Sequence, residues 1–273
     1  MNAQATPRTE ADDWRSQLAP AVAPSDWTVL IAAAGKGSRL DFGLPKILFP
    51  VAGRPILEWL LDLVVPICES TIFVLSPDGR DSVEPVLERL IPGRYKIAIQ
   101  SHPSGMGDAV QIGAAEVSTP HTAVMWGDQV ALRPKSVALV ARLHAGPLGP
   151  HVTVPTVFRD APYIHFERHP DGHIARLLQA REGDAMPARG ESDTGFFCFQ
   201  TQVLRRLLVE VKEQAGARGS RTAEFNLLPV IPFAAETGYT VLTPHVMDVE
   251  ETIGINSRAD AERVEAFLRR SNA

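Results

Sequence analysis

Between residues 28 and 144 short apolar runs alternate with helix-patterned segments, and that rhythm leaves few folds open. Residues 28–34, 70–76, 95–100 and 122–128 are strand-like, while 55–65, 82–90, 108–117 and 135–144 carry helical spacing. Near-continuous apolar strands are buried on both faces, so the pattern predicts a parallel sheet with helices packed on each side. Pro55 stands where a helix can begin, because the first turn leaves that N–H unpaired anyway. After the turn-rich residues 146–150 the rhythm changes. Runs at 151–158, 163–168 and 173–180 are strand-like, and the HPDG turn at 169–172 predicts a hairpin beside the parallel core. A strand at 194–199, a helix at 201–215, a polar mobile loop at 216–224, a strand at 239–244 and a helix at 259–270 complete the order. The expected class is α/β, a Rossmann-like, mostly parallel sheet flanked by helices with a small β-rich subregion added. Residues 1–26 are expected to be a mobile segment with one short helix near 9–18.

Composition narrows what such a fold can do. A net charge of −5 argues against a surface devoted to nucleic acid. No apolar run approaches the ~20 residues of a membrane span, and the acids and prolines near the start do not resemble a signal peptide. Cys68 and Cys198 lie far apart in apolar stretches with no CxxC spacing, as reduced core thiols of a cytoplasmic protein do.

Chemistry concentrates where the first strand breaks. Ala32-Ala33-Ala34 runs into Gly35-Lys36-Gly37, with Arg39 and Lys46 close behind. Leu40 stands where a dinucleotide fingerprint needs its third glycine, and no G-K-[ST] closes a Walker loop. The physics of those motifs still applies. Glycines let backbone N–H groups approach phosphate oxygens, and two cations neutralise what the backbone cannot. Asp128 follows an apolar strand, at the carboxyl edge where α/β folds bind ligands, and is either a hard ligand for Mg²⁺ or a helix cap. Asn256 offers an amide oxygen to the same metal or else forms a turn. Gln100 carries an amide able to read a base edge, and Gly105 and Gly107 leave room for a flat ring. His165, His169 and His173 are four apart, yet Pro170 and Gly172 prevent a shared helical face, so a metal site there is not expected.

Taken in order, "AAGKGSRLDFGLPKILFPVAGRPIL", "QSHPSGMGDAV", "VMWGDQVAL", "ESDTGFF", "AEFNLLPVI" and "IGINSRADAERVE" resemble the sugar nucleotidyltransferases. Among these the similarity is to the uridylyltransferase domains acting on N-acetylglucosamine 1-phosphate, over residues 27–268. The family's second domain, a left-handed β-helix acetyltransferase, has no counterpart in this length. The resemblance implies a GT-A-like nucleotidyltransferase fold over 27–273, with an NTP-binding half at 27–145 and an acceptor-binding half at 146–273. It places Ala33, Ala34, Gly35 and Gly37 along the nucleotide, Arg39 and Lys46 on its phosphates, and Gln100, Gly105 and Met106 at the base. Asp128 and Asn256 would hold Mg²⁺, and Trp126, Gln179, Glu182, Asp193, Glu224 and Asn226 would meet the acceptor.

The departures gather at the acceptor end. Met106 replaces a Thr beside the base, Ile164 a Gly near the sugar, Asp193 an Asn, and Asn226 and Pro229 a Tyr and an Asp. The implied reaction joins an NTP, UTP favoured, to a sugar 1-phosphate, releasing pyrophosphate. A cytidylyltransferase with a non-sugar phosphate or phosphonate acceptor, and a non-catalytic relative that binds nucleotide sugar and regulates a partner, are the alternatives. A glycosyltransferase would want Asp-x-Asp where WGDQV has one Asp. No oligomer is predicted.

Overall fold

The structure is a computed structural model that describes residues 14–35, 37–214 and 217–271. Its centre is β1 (Trp27–Ala32), buried at every position, as a strand covered on both faces must be. β1 pairs in parallel with β4 (Ser70–Leu75) on one side and β6 (His121–Trp126) on the other, and β4 pairs in parallel with β5 (Tyr95–Ile99). β2 (Pro50–Val51) and β3 (Arg54–Pro55) form a small antiparallel clip before α1 (Ile56–Val64). Beyond β6 the sheet continues through β12 (Phe196–Gln200), β7 (Val152–Thr153) and β13 (Val241–Leu242), with β12 antiparallel to both neighbours. The parallel α/β sheet flanked by helices is therefore present, and both halves of the chain contribute strands to it.

Two helical layers bury its faces. α1, α2 (Pro77–Leu90), α4 (Pro134–His144) and α7 (Arg258–Ser271) supply one apolar cluster; α3 (Met106–Ala115), α5 (Thr201–Lys212) and α6 (Val230–Glu236) supply the other. α2 begins five residues before the expected 82, because Ser76 caps it by accepting from the Gly79 N–H (3.1 Å) and Pro77 suits the first turn. Cys68 and Cys198 are free buried thiols whose pKa burial pushes up. No helix among the described residues is long and apolar enough to cross a membrane.

The run at 151–158 is two strands. Pro155 lacks an N–H to donate, and past it the chain leaves the main sheet as β8 (Thr156–Asp160), which pairs with β11 (Arg189–Asp193) in a separate arm. The expected hairpin forms there from β9 (Ile164–Arg168) and β10 (Ile174–Gln179). Buried Glu191 ties the arm together, accepting from Arg168 Nε (2.7 Å) and Thr156 Oγ1 (2.6 Å). His169 and His173 sit in the hairpin turn, and no metal-binding cluster of three His, Cys, Asp or Glu occurs among the described residues.

Two segments expected to be mobile make contacts with the rest of the fold. Much of the predicted helix at 9–18 lies outside the described residues, and 14–17 form a single 3-10 turn. Within the N-terminal segment Ala19 is buried and exchanges hydrogen bonds with Arg142 of α4, its N–H to the Arg142 carbonyl at 3.0 Å and its carbonyl from Arg142 Nε at 2.8 Å. The loop at 217–224 is clamped onto the Glu182 carboxylate.

Candidate active site

At the carboxyl end of β1 the backbone pairs once more, Ala33 N–H to Val74 O (2.9 Å), and then turns through Gly35. Gly37 has φ +60°, and a Cβ there would lie 2.8 Å from Lys46 Cβ. Its absence lets Lys46 lie against the loop. Lys46 opens a 3-10 turn (Lys46–Leu48) after Pro45. From that turn its Nζ reaches Asp128 Oδ2 at 2.6 Å and Asn256 Oδ1 at 3.3 Å. Arg39 donates to the same Asn256 Oδ1 at 3.2 Å. Residues 82 and 210 positions away along the chain thus converge on one ammonium group.

The loops carrying the two oxygens are fixed to each other. Gly127 follows β6 so closely that a Cβ would lie 2.8 Å from the Ala32 carbonyl oxygen. The Asp128 carbonyl accepts from the Ile255 N–H (3.1 Å). Asp260 Oδ2 accepts from the Asn256 N–H (3.1 Å), the Ser257 N–H (2.9 Å) and Ser257 Oγ (2.9 Å), while Ser257 Oγ accepts from the Asp260 N–H (3.2 Å). That is a capping box on α7, and it sets where Asn256 stands. Sequence reading passed over both Gly127 and Asp260, although the S-x-x-D spacing of 257–260 marks the cap.

A cavity of about 160 Å³ lies against this cluster, lined by Ala33, Gly35, Lys46, Met106, Trp126 and Asp128 together with Ala32, Ile47 and Gly127. Ala34 is half-buried beside it. At the expected base end Gln100 is buried, and its Nε2 donates to Gly105 O (2.9 Å) and Ser104 Oγ (3.4 Å). Its donors are spent on the loop, leaving the amide oxygen as its unused function.

The acceptor candidates part ways. Trp126 lines the cavity and packs on Phe197 at 4.9 Å between ring centroids. Asp193 accepts from the Gly195 N–H (2.9 Å), with Trp126 and the Arg159 guanidinium nearby. Gln179, Glu182, Glu224 and Asn226 do not line the cavity. The Gln179 N–H donates to Asp184 Oδ2 (2.8 Å), and Glu224 Oε1 pairs with Arg181 at 2.9 Å. Glu182 is engaged structurally: its carboxylate accepts from the Arg221 N–H (3.0 Å), the Thr222 N–H (3.2 Å) and Thr222 Oγ1 (2.8 Å). Burial raises its pKa, but those bonds and one from Asn226 outweigh burial and hold it below the usual carboxylate range. A buried carboxylate with its oxygens satisfied by one loop orders that loop, which is why 217–224 is clamped.

Burial pushes the Asp193 carboxyl from 3.8 to about 6, against the opposing Gly195 N–H. Between those values the folded chain keeps a proton that the unfolded chain has released, so stability falls as pH rises from about 4 to about 6. Asp193→Asn removes the penalty. At pH 7.5 it is expected to gain on the order of 1–3 kcal/mol over the parent in urea unfolding, with the gap closing near pH 4. A gap independent of pH would place the effect elsewhere.

Comparison with known proteins gives the same direction. Residues 29–223 match the MobA-like NTP transferase domain. The bifunctional protein GlmU of Exiguobacterium sp. is 30% identical over 246 residues, 88% of this chain and 52% of that protein. GlmU of Paraburkholderia phytofirmans is 31% identical over 245 residues, 86% of this chain and 51% of that one. The chain spans about half the length of these curated relatives. The solved inositol-1-phosphate CTP transferase from T. maritima shares the fold, with TM-score 0.64 and 16% identity over 90% of this chain and 97% of its own. With a parallel sheet ending in this cavity and most of its length matched, the chain belongs to the MobA-like NTP transferase domain family, the nucleotidyltransferases.

Proposed function

We propose that the chain joins an NTP, UTP favoured, to a sugar 1-phosphate, yielding a nucleoside diphosphate sugar and pyrophosphate. The observation that carries this is the convergence of Lys46, Arg39, Asp128 and Asn256 beside a cavity at the sheet's carboxyl edge. An acceptor phosphate oxygen forms a bond to the α-phosphorus. The bond from that phosphorus to the bridging oxygen breaks, and its electron pair leaves with pyrophosphate. No side chain need act as base, because a phosphate monoester is largely a dianion near pH 7. Lys46 and Arg39 neutralise phosphate charge, and the cavity aligns the reactants; positioning and electrostatics carry the step.

Asp128 and Asn256 also suit Mg²⁺. Both present hard oxygens, and both already converge on a cation, the Lys46 ammonium. Mg²⁺ held there would supply further charge neutralisation at the phosphates. Retention of all four charged and amide groups supports the enzyme reading over a non-catalytic regulator.

A cytidine reading rests on Gln100. With its donors used by Gly105 and Ser104, the amide oxygen would accept from uracil N3–H or cytosine N4–H alike. The test is pyrophosphate release with Mg²⁺, each of four NTPs against sugar 1-phosphates, inositol phosphate and phosphocholine-like acceptors. Turnover is expected with UTP and one sugar 1-phosphate. Turnover only with CTP and a non-sugar acceptor would replace that reading, and intact nucleotide binding without any turnover would favour the regulator.

A further inference from the structure

A second hollow, of about 280 Å³, opens where the arm meets α7, and it shares no lining residue with the cavity beside Lys46. Arg159 of β8 and Arg263 and Arg270 of α7 line it, with Val249, Glu250 and Ile253 from the turn before α7. Among the lining residues three guanidinium groups therefore meet one carboxylate, and the Asp193 carboxyl lies near Arg159 from outside the lining. Glu250 is spent on Arg270, at 2.8 Å. Neither the Arg159 nor the Arg263 side chain has a hydrogen bond or ion pair with any described residue.

Solvated arginines on a helix face would be unremarkable, and Arg263 and Arg270 alone are of that kind. Arg159 is different. Its Nε is shielded from solvent and has no hydrogen-bond partner among the described residues. A buried donor on an always-charged group is costly unless something accepts from it. Arginine's planar fork matches the oxygens of a phosphate, and guanidinium groups from two elements can share one dianion. We propose that this hollow binds a phosphomonoester dianion, bridging β8 of the arm to α7. The hollow is smaller than a drug-sized pocket, which suits one phosphate with a small substituent. The segment it would brace leads directly into Asn256, since Ile253 lines the hollow three residues earlier.

The test uses the full chain carrying Arg39→Ala and Lys46→Ala, so that phosphate cannot report on the nucleotide seat. Calorimetric titration with inorganic phosphate and with glucose 6-phosphate is expected to show one saturable site. Adding Arg263→Gln and Arg270→Gln should weaken it by more than about tenfold, the loss of charge-assisted bonds. Thermal unfolding would check that these variants fold. In the parent chain the Arg159 Nε–H resonance should shift on titration with the same ligands, which needs no substitution. Tighter binding of glucose 6-phosphate would support a phosphorylated metabolite, and binding of inorganic phosphate alone would support the free ion. Unchanged affinity in the arginine variants, a still Arg159 resonance, or no saturable binding would overturn the proposal. So would binding of a polyglutamate peptide without phosphate, which would assign the hollow to an acidic protein partner.

Discussion

Lys46→Ala is expected to slow nucleotidyl transfer by about 10²–10³-fold with little change in folding stability, because one preorganised charge in a catalytic site carries that much. The side chain is one-fifth exposed and its partner Asp128 less so, so the bond at 2.6 Å is a partly solvated ion pair whose loss the fold tolerates. Its cost falls on the reaction. Negative charge at the α-phosphorus has to be met as the acceptor attacks, and Arg39, more exposed, bonds Asn256 alone among the described residues, so it does not replace the Lys46 ammonium beside Asp128. Steady-state pyrophosphate release should therefore show a fall in kcat larger than any rise in the KM for NTP. The same variant leaves Asp128 Oδ2 and Asn256 Oδ1 without the ammonium between them, so calorimetry should find Mn²⁺ bound more tightly than by the parent. A loss of turnover below about threefold would remove Lys46 from the catalytic role, whatever the metal affinity did.

How far such a site is legible depends on whether its reasons are local. The strand that ends in Ala32-Ala33, the glycine turn and the two cations form one continuous stretch, and each signals its own requirement. The place of Asp128 at the sheet's carboxyl edge is legible because a carboxylate after an apolar strand is placed by topology alone. Asn256 was weak by itself and gains meaning from a capping box four residues long. Glu182 went the other way. As a lone acid near the resemblance's sugar site it looked like an acceptor ligand, whereas its hydrogen bonds go to residues 221 and 222, some forty positions on, and nothing local announces them. The break of residues 151–158 into two sheets was written in Pro155 and could have been read. The arginine hollow could not, since β8 and α7 meet only through the fold.

Gly105→Ala should unfold more readily by about 3–5 kcal/mol, from backbone strain and overpacking together. Gly105 caps α3 with φ +111° and ψ 171°, a region closed to residues with a Cβ. A Cβ there would also lie 2.4 Å from the Phe225 carbonyl oxygen and 2.8 Å from its nitrogen. Those backbone atoms cannot retreat cheaply, because Phe225 is held on both sides: its carbonyl accepts from Gly107 N–H (2.8 Å) and its own N–H donates to Ser104 O (2.8 Å). The glycine that looked like room for a base is thus required by a close crossing of two backbones. The consequence still reaches the nucleotide. Gln100 is oriented by the Gly105 carbonyl, so shifting that crossing misplaces the amide oxygen that would meet the base. Nucleotide affinity should fall with stability, whereas Gly35→Ala, with open space and no positive φ, should stay within about 1 kcal/mol of the parent. Urea unfolding of the two variants side by side decides it. Equal stabilities would mean the 104–107 loop yields to a methyl group, and the crossing with Phe225 could then not be what positions Gln100.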